Sequence, residues 1–156
     1  MIYTLDTNFL IDAARVHFPL KENPDFWAWL VKLGKQKSVA LSEQVYKEIK
    51  TGSDLLVDWI EENRMIFVHD TLTYIHELPK VLQAYGDVDE ATLEKLGADP
   101  YVIAHALKIN GCVITREIPK NATSAHNKKV SSICKELNIP YYTSSRFMWE
   151  VRKTMP

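Results

Sequence analysis

The chain alternates between short β-branched runs and longer stretches in which apolar residues recur three and four positions apart. Residues 2–5 read as a strand that runs straight into Asp6-Thr7-Asn8 and a helical pattern to about residue 15. Over 24–36, Phe26, Trp27, Leu30, Val31 and Leu33 share one helical face. A short strand at 38–41 leads to Ser42, whose hydroxyl suits the start of a helix running to residue 50. A helix is predicted over 53–63, a strand over 65–68, and a helix over 71–85 interrupted near Pro79. The polar, acidic segment 86–98 reads as a loop or a loosely held helix. Residues 100–110 are apolar nearly all round, as in a buried helix, and Gly111 is placed to end it. A strand at 112–115, a polar loop at 116–127 containing Pro119, a helix at 128–137, a strand at 140–142 and a helix at 144–153 complete the pattern.

Strands alternating with helices predict an α/β fold. It is a three-layer α/β/α sandwich around a central, mostly parallel sheet of four to five strands. No repeat and no Gly/Ser/Pro-rich linker divides the 156 residues, so one domain over 1–156 is expected. A composition 46% hydrophobic and 25% charged excludes disordered and fibrous classes. Two cysteines, Cys112 and Cys134, make no disulfide framework, and Cys112 reads as a buried thiol. No apolar run approaches the roughly 20 residues of a membrane helix, and the first residues lack a signal-peptide pattern. A cytoplasmic location is expected.

Ligand sites of open α/β sheets lie at the carboxyl ends of the strands. Four carboxylates fall at or near such places. Asp6 follows the first strand directly, and Glu117 comes just after the strand at 112–115. Asp99 opens the buried helix, and Glu48 lies on the helix begun by Ser42. At about 100° per residue, Glu48 stands roughly 80° from the centre of the Val45/Ile49 stripe, whereas Glu43 stands roughly 140° away, toward water. Taken singly, each acid has an ordinary explanation. Asp6 would cap a helix, Asp99-Pro100 is a good N-cap and first-residue pair, and Glu48 and Glu117 read as surface acids. Their joint position on one sheet edge points instead to metal-assisted phosphodiester hydrolysis. Hard oxygen ligands select Mg²⁺ or Mn²⁺, and a cation relieves the repulsion among clustered carboxylates.

Four segments carry a resemblance to a known family. They are Leu5-Asp6-Thr7-Asn8, Val45-Tyr46-Lys47-Glu48-Ile49, Ala98-Asp99-Pro100-Tyr101-Val102-Ile103-Ala104 and Val113-Ile114-Thr115-Arg116-Glu117. In that order and spacing they resemble the PIN-domain family, the small metal-dependent ribonuclease fold. Pro24-Asp25-Phe26-Trp27-Ala28-Trp29-Leu30, together with Ala98-Asp99-Pro100, resembles in particular a PIN-like subfamily of unassigned function related to toxin–antitoxin toxins. The fourth acid of the family is commonly Asp, and here it is the longer Glu117.

The resemblance implies that Asp6, Glu48, Asp99 and Glu117 form the catalytic pocket and hold one or two Mg²⁺ or Mn²⁺ ions. Thr7 and Asn8 would support Asp6, and Thr115 would orient a water or a carboxylate. It also implies an RNA substrate, products ending in 5′-phosphate and 3′-hydroxyl, a cognate antitoxin covering the groove, and self-association as a homodimer.

Charge changes this picture in one respect. The total of 19 basic and 20 acidic side chains, net −1, taken whole argues against a strongly basic nucleic-acid binder. The total hides a division: residues 1–100 carry net −7 and residues 101–156 net +6. Arg116, Lys120, His126, Lys128 and Lys129 lie in or just after the loop that starts at the acids' sheet edge. There they would hold RNA phosphates, or else stand as solvated cations at a helix start. Tyr101, Tyr141, Tyr142 and Trp149 read as core residues or as stacking faces for bases. Trp27, Trp29 and Trp59 read as packing residues, although an exposed Trp29 would mark a partner surface. His69 and His76 lack the company a zinc site needs, and His105 reads as a satisfied core histidine. Two other functions remain at this stage. One is a catalytically inactive PIN-like RNA-binding or protein-interaction module. The other is a haloacid-dehalogenase-type phosphatase, which wants a second Asp where Asn8 stands.

Overall fold

In the computed structural model, which describes residues 1–118, 121–122 and 124–154, five short strands pair entirely in parallel. They are β1 (Tyr3–Leu5), β2 (Val39–Ser42), β3 (Val68–His69), β4 (Cys112–Ile114) and β5 (Tyr141–Tyr142), in the order β3-β2-β1-β4-β5. Tyr3 is in register with Val39 on one side and Cys112 on the other, and Leu5 with Ile114. The fold class expected from the alternating pattern is therefore what forms.

The order dictates the layers. The chain moves outward from β1 to β3 through α1 (Thr7–Asp12), α2 (Pro24–Lys35), α3 (Glu43–Lys50), α4 (Leu55–Glu62) and α5 (Arg64–Phe67). It then returns past β1 to β4 through α6 (Leu78–Tyr85), α7 (Glu90–Leu96) and α8 (Asp99–Ile109), and on to β5 through α9 (Val130–Glu136). Right-handed crossovers in opposite directions put the two groups on opposite faces of the sheet. The last helix, α10 (Ser144–Val151), joins the first group, because Phe147 packs against Phe9 at 5.4 Å and Tyr3 at 5.1 Å between ring centres. On the other face α8 packs with α6 and α9. The direction of travel reverses between β1 and β4, and the crevice beyond their carboxyl ends is where such sheets bind ligands.

Several elements differ from the periodicity reading. Residues 65–68 do not form one strand: α5 turns through Phe67, and β3 begins at Val68. An apolar run this short is ambiguous by periodicity, and here Phe67 fills the core beside Trp59 while Met65 points into solvent. Pro79 does not interrupt a helix. It stands in the first turn of α6, after two 3₁₀ turns, where its missing N–H costs nothing. The acidic segment, read as a loop or a loosely held helix, takes the helical alternative as α7, capped by the Asp89 carboxylate on the Thr92 N–H at 2.7 Å. At the end of α8 it is Asn110, with φ 51°, that turns left-handed, not Gly111. Gly111 is needed for a different reason, because a β-carbon there would meet the Ile2 carbonyl oxygen at 2.7 Å. No helix among the described residues is long and apolar enough to cross a membrane.

Candidate active site

Asp6 is the first residue beyond β1, and its N–H still donates to the Ile114 carbonyl of β4. That last ladder bond sets its side chain at the switch point. The residue is 2% exposed. Its Oδ1 accepts the Thr7 N–H at 2.8 Å, the cap of α1, and its Oδ2 accepts the Thr115 hydroxyl at 2.9 Å. Thr115 follows β4 and is itself buried, and its Oγ1 also accepts from Asn8 Nδ2 at 3.3 Å and the Glu117 N–H at 3.2 Å. Asn8 closes the knot by accepting the Arg116 N–H on its Oδ1 at 3.2 Å. Asn8 therefore acts on Asp6 through Thr115. Thr7 acts through its backbone, while its buried hydroxyl has no partner.

Glu48 reaches the crevice from α3, which starts at the end of β2 where the Ser42 hydroxyl accepts the Val45 N–H. Although the residue is exposed, its carboxylate folds back so that Oε1 accepts the Ala98 N–H at 2.6 Å. Glu43, expected to face water, is the less exposed of the two. Its Oε1 accepts both the N–H and the hydroxyl of Thr71 at 3.2 Å, tying α3 to the following turn. A helical wheel sees only its own helix, and this partner lies 28 residues away.

Asp99 is not the cap of α8 either. The capping position is Ala98, and no hydrogen bond or ion pair reaches the Asp99 carboxylate among the described residues. Glu117 accepts the Val130 N–H on Oε2 at 3.0 Å, at the start of α9, and its Oε1 lies 4.0 Å from Lys129 Nζ.

These acids share one electrostatic field. Burial above all pushes the Asp6 carboxyl up to about 7; the Thr115 and Thr7 hydrogen bonds oppose this, and the charges of Glu117 and Glu48 add to it. Burial again, then Asp6, Glu117 and Glu48, hold Asp99 well above the ordinary carboxylate range, with Lys129 pulling the other way. Partial burial raises Glu48 against the Ala98 N–H. Among the described residues, no three His, Cys, Asp or Glu side chains form a group able to hold a metal ion as they stand. Asp6, Glu48 and Glu117 each accept a backbone N–H and Asp6 also the Thr115 hydroxyl, while among the described residues Glu48 Oε2, both oxygens of Asp99 and Glu117 Oε1 lie outside such bonds. The donor chemistry, all oxygen and mutually repelling, fits a hard divalent cation.

Two cavities open at the acids, one on Asp99 and Glu117 and the other on Glu48. One, of about 690 Å³, is walled by Asp99, Glu117, Asn121, His126, Lys128 and Lys129. The other, of about 470 Å³, is walled by Glu48, Leu93, Gly97 and Tyr101 among others. Lys128 Nζ donates to the Ala84 carbonyl at 3.1 Å. Arg116 is turned away from both cavities and pairs with Asp12 at 2.9 Å. Lys120 lies outside the described residues. Trp29 is buried, as its packing role requires. Trp149 is 56% exposed but carries Arg152 at 3.4 Å over its ring, and Arg146 covers half-buried Tyr142 at 3.9 Å. His105 is satisfied in the core, bonded to Thr4 Oγ1 at 2.8 Å and His69 Nδ1 at 2.9 Å, and burial drives its pKa down to about 3. One residue at the site has no counterpart in the sequence reading: Tyr85, at the end of α6, whose buried hydroxyl lies in the field of Asp99. A hydroxyl-bearing residue closing an apolar helix just before Gly86 was the signal for it.

A family model described as a domain of unknown function, DUF4411, matches residues 3–155. No curated protein matches the chain in sequence. Among solved structures, a chain of VapBC2 from Rickettsia felis, crystallised bound to a DNA fragment from their promoter, is similar. The identity is 18% and the TM-score 0.49, over 92% of this chain and 98% of that one.

Proposed function

The chain belongs to the DUF4411 family, and from that premise and the site's geometry we propose that it is a metal-dependent endoribonuclease, the toxin of a toxin–antitoxin pair. The observation that carries the reading is electrostatic. Burial first, and then the charges of Glu117 on the loop after β4 and Glu48 on α3, raise the pKa of Asp6 beyond β1 and of Asp99 at the start of α8, and Asp6 adds to Asp99. A folded chain tolerates that cost where a cation relieves it. Asp6, Glu48, Asp99 and Glu117 would hold Mg²⁺ or Mn²⁺, which supplies a water of lowered pKa and offsets charge developing on a phosphate.

The remaining work belongs to the chain's own groups. Thr115 and the Thr7 N–H fix both oxygens of Asp6, so the deepest acid needs no reorganisation. Lys129 supplies positive charge beside Asp99 and Glu117, and with Lys128 and His126 it lines the wall where a neighbouring phosphate would lie. Tyr101 offers a ring in the second cavity for an unpaired base. An antitoxin would act by covering these cavities.

The test is cleavage of end-labelled single-stranded RNA by the purified protein with Mn²⁺. Cleavage that stops in EDTA and in Asp99→Asn, leaving 5′-phosphate ends, supports the reading. Cleavage that persists in either contradicts it.

A further inference from the structure

Tyr85 is the last residue of α6, directly before Gly86, whose φ of 107° ends the helix. It is 1% exposed, and its hydroxyl has no hydrogen-bond partner. An unpartnered buried hydroxyl is a standing cost, and phenylalanine would fill the same ring volume without it. The surroundings of that hydroxyl are acidic. Burial raises the phenol's pKa most, then Asp99, with Cys134, Glu117 and Asp6 adding in that order. The phenol is thus held as a neutral donor. Asp99, on the neighbouring helix α8, is among the described residues the one acid of the four whose carboxylate accepts no hydrogen bond. A donor without an acceptor and an acceptor without a donor stand on two packed helices. The Lys128–Ala84 bond fixes the end of α6 beside them.

Resting on the proposed function above, we propose that Tyr85 is a positioning residue whose hydroxyl donates to the Asp99 carboxylate when a divalent cation fills the acidic pocket, orienting Asp99 toward the ion. A cation keeps Asp99 ionised, and an ionised carboxylate is the stronger acceptor. Groups that orient a ligand in this way govern metal affinity about tenfold or more.

The test is calorimetric titration of Mn²⁺ into the wild type and Tyr85→Phe, with melting followed in EDTA and in Mn²⁺. The variant should melt in EDTA at or above the wild-type temperature, bind Mn²⁺ about tenfold more weakly, and gain less from Mn²⁺ on melting. The wild type should also show a Mn²⁺-induced tyrosine shift in its near-ultraviolet difference spectrum that the variant lacks. Equal Mn²⁺ affinity in the two proteins overturns the role of Tyr85 alone. So does a variant that fails to fold, since loss of a truly unpartnered hydroxyl would not unfold the protein. A wild type that binds no Mn²⁺ overturns the proposed function and this inference together.

Discussion

Asp6 keeps a proton that the unfolded chain gives up far earlier. An ordinary aspartate ionises near 3.8, and the folded Asp6 near 7, so between those values the folded state binds more protons. Stability from this group therefore falls as pH rises through the window, the reverse of a salt-bridged aspartate. His105 acts the other way lower down: it titrates near 6.5 when free and about 3 when folded, so its contribution is lost as pH drops below 6.5. Above that point His105 no longer opposes Asp6, so urea unfolding in EDTA should show stability declining from about pH 6.5 through about 7, and Asp6→Asn should flatten the decline. Thr115→Val should cost about 1–3 kcal/mol in the same assay, because Asp6 loses its donor while Asn8 and the Glu117 N–H lose their acceptor. The place of Asp6 at the sheet edge was legible because it follows the first strand directly, and that of Thr115 because it closes the strand read at 112–115. The role of Tyr85 was not, because its meaning lies in what α8 brings opposite it.

The elements that position the site are short, and their junctions matter more than their lengths. Gly97 ends α7 with φ 59° and ψ −130°, a conformation that a β-carbon disfavours, and so presents the Ala98 N–H to Glu48. A β-carbon there would also stand 3.3 Å from Glu48 Oε1. Gly97→Ala should lower stability by about 1–3 kcal/mol in thermal or urea melts and weaken Mn²⁺ binding through displaced Glu48. Strand β4 and helix α8 could be read from the sequence because burial of Cys112–Ile114 and of residues 102–106 leaves runs dominated by apolar residues. The α5–β3 junction could not, because Phe67 serves the core in a helical turn. Glu43 and Glu48 exchanged exposure for the same kind of reason, since Thr71 and Ala98 reach α3 from elsewhere in the fold.

Across the molecule, a near-zero net charge conceals local contrast, and Asp99 and Glu117 share a cavity wall with His126, Lys128 and Lys129. RNA binding should accordingly be modest in salt dependence. Replacing Lys128 and Lys129 together by Ala should weaken RNA binding evenly across sequences. It should also reduce the slope of log affinity against log salt by about 1.4, the value for two phosphate contacts on a single strand. Arg116→Ala should leave that slope nearly unchanged, because Asp12 already holds it away from the cavities. The places of Asp6 and Glu117 were readable because a parallel sheet gathers its strand ends, and the division among cations was not, because it depends on which acceptor each one finds. If four carboxylates from separate elements serve one divalent cation, anomalous diffraction at the manganese edge from crystals soaked in Mn²⁺ will locate it. A peak is expected among the Asp6, Glu48, Asp99 and Glu117 carboxylates, disappearing in Asp99→Asn crystals; a soaked wild-type crystal with no peak there would rule out the shared cation.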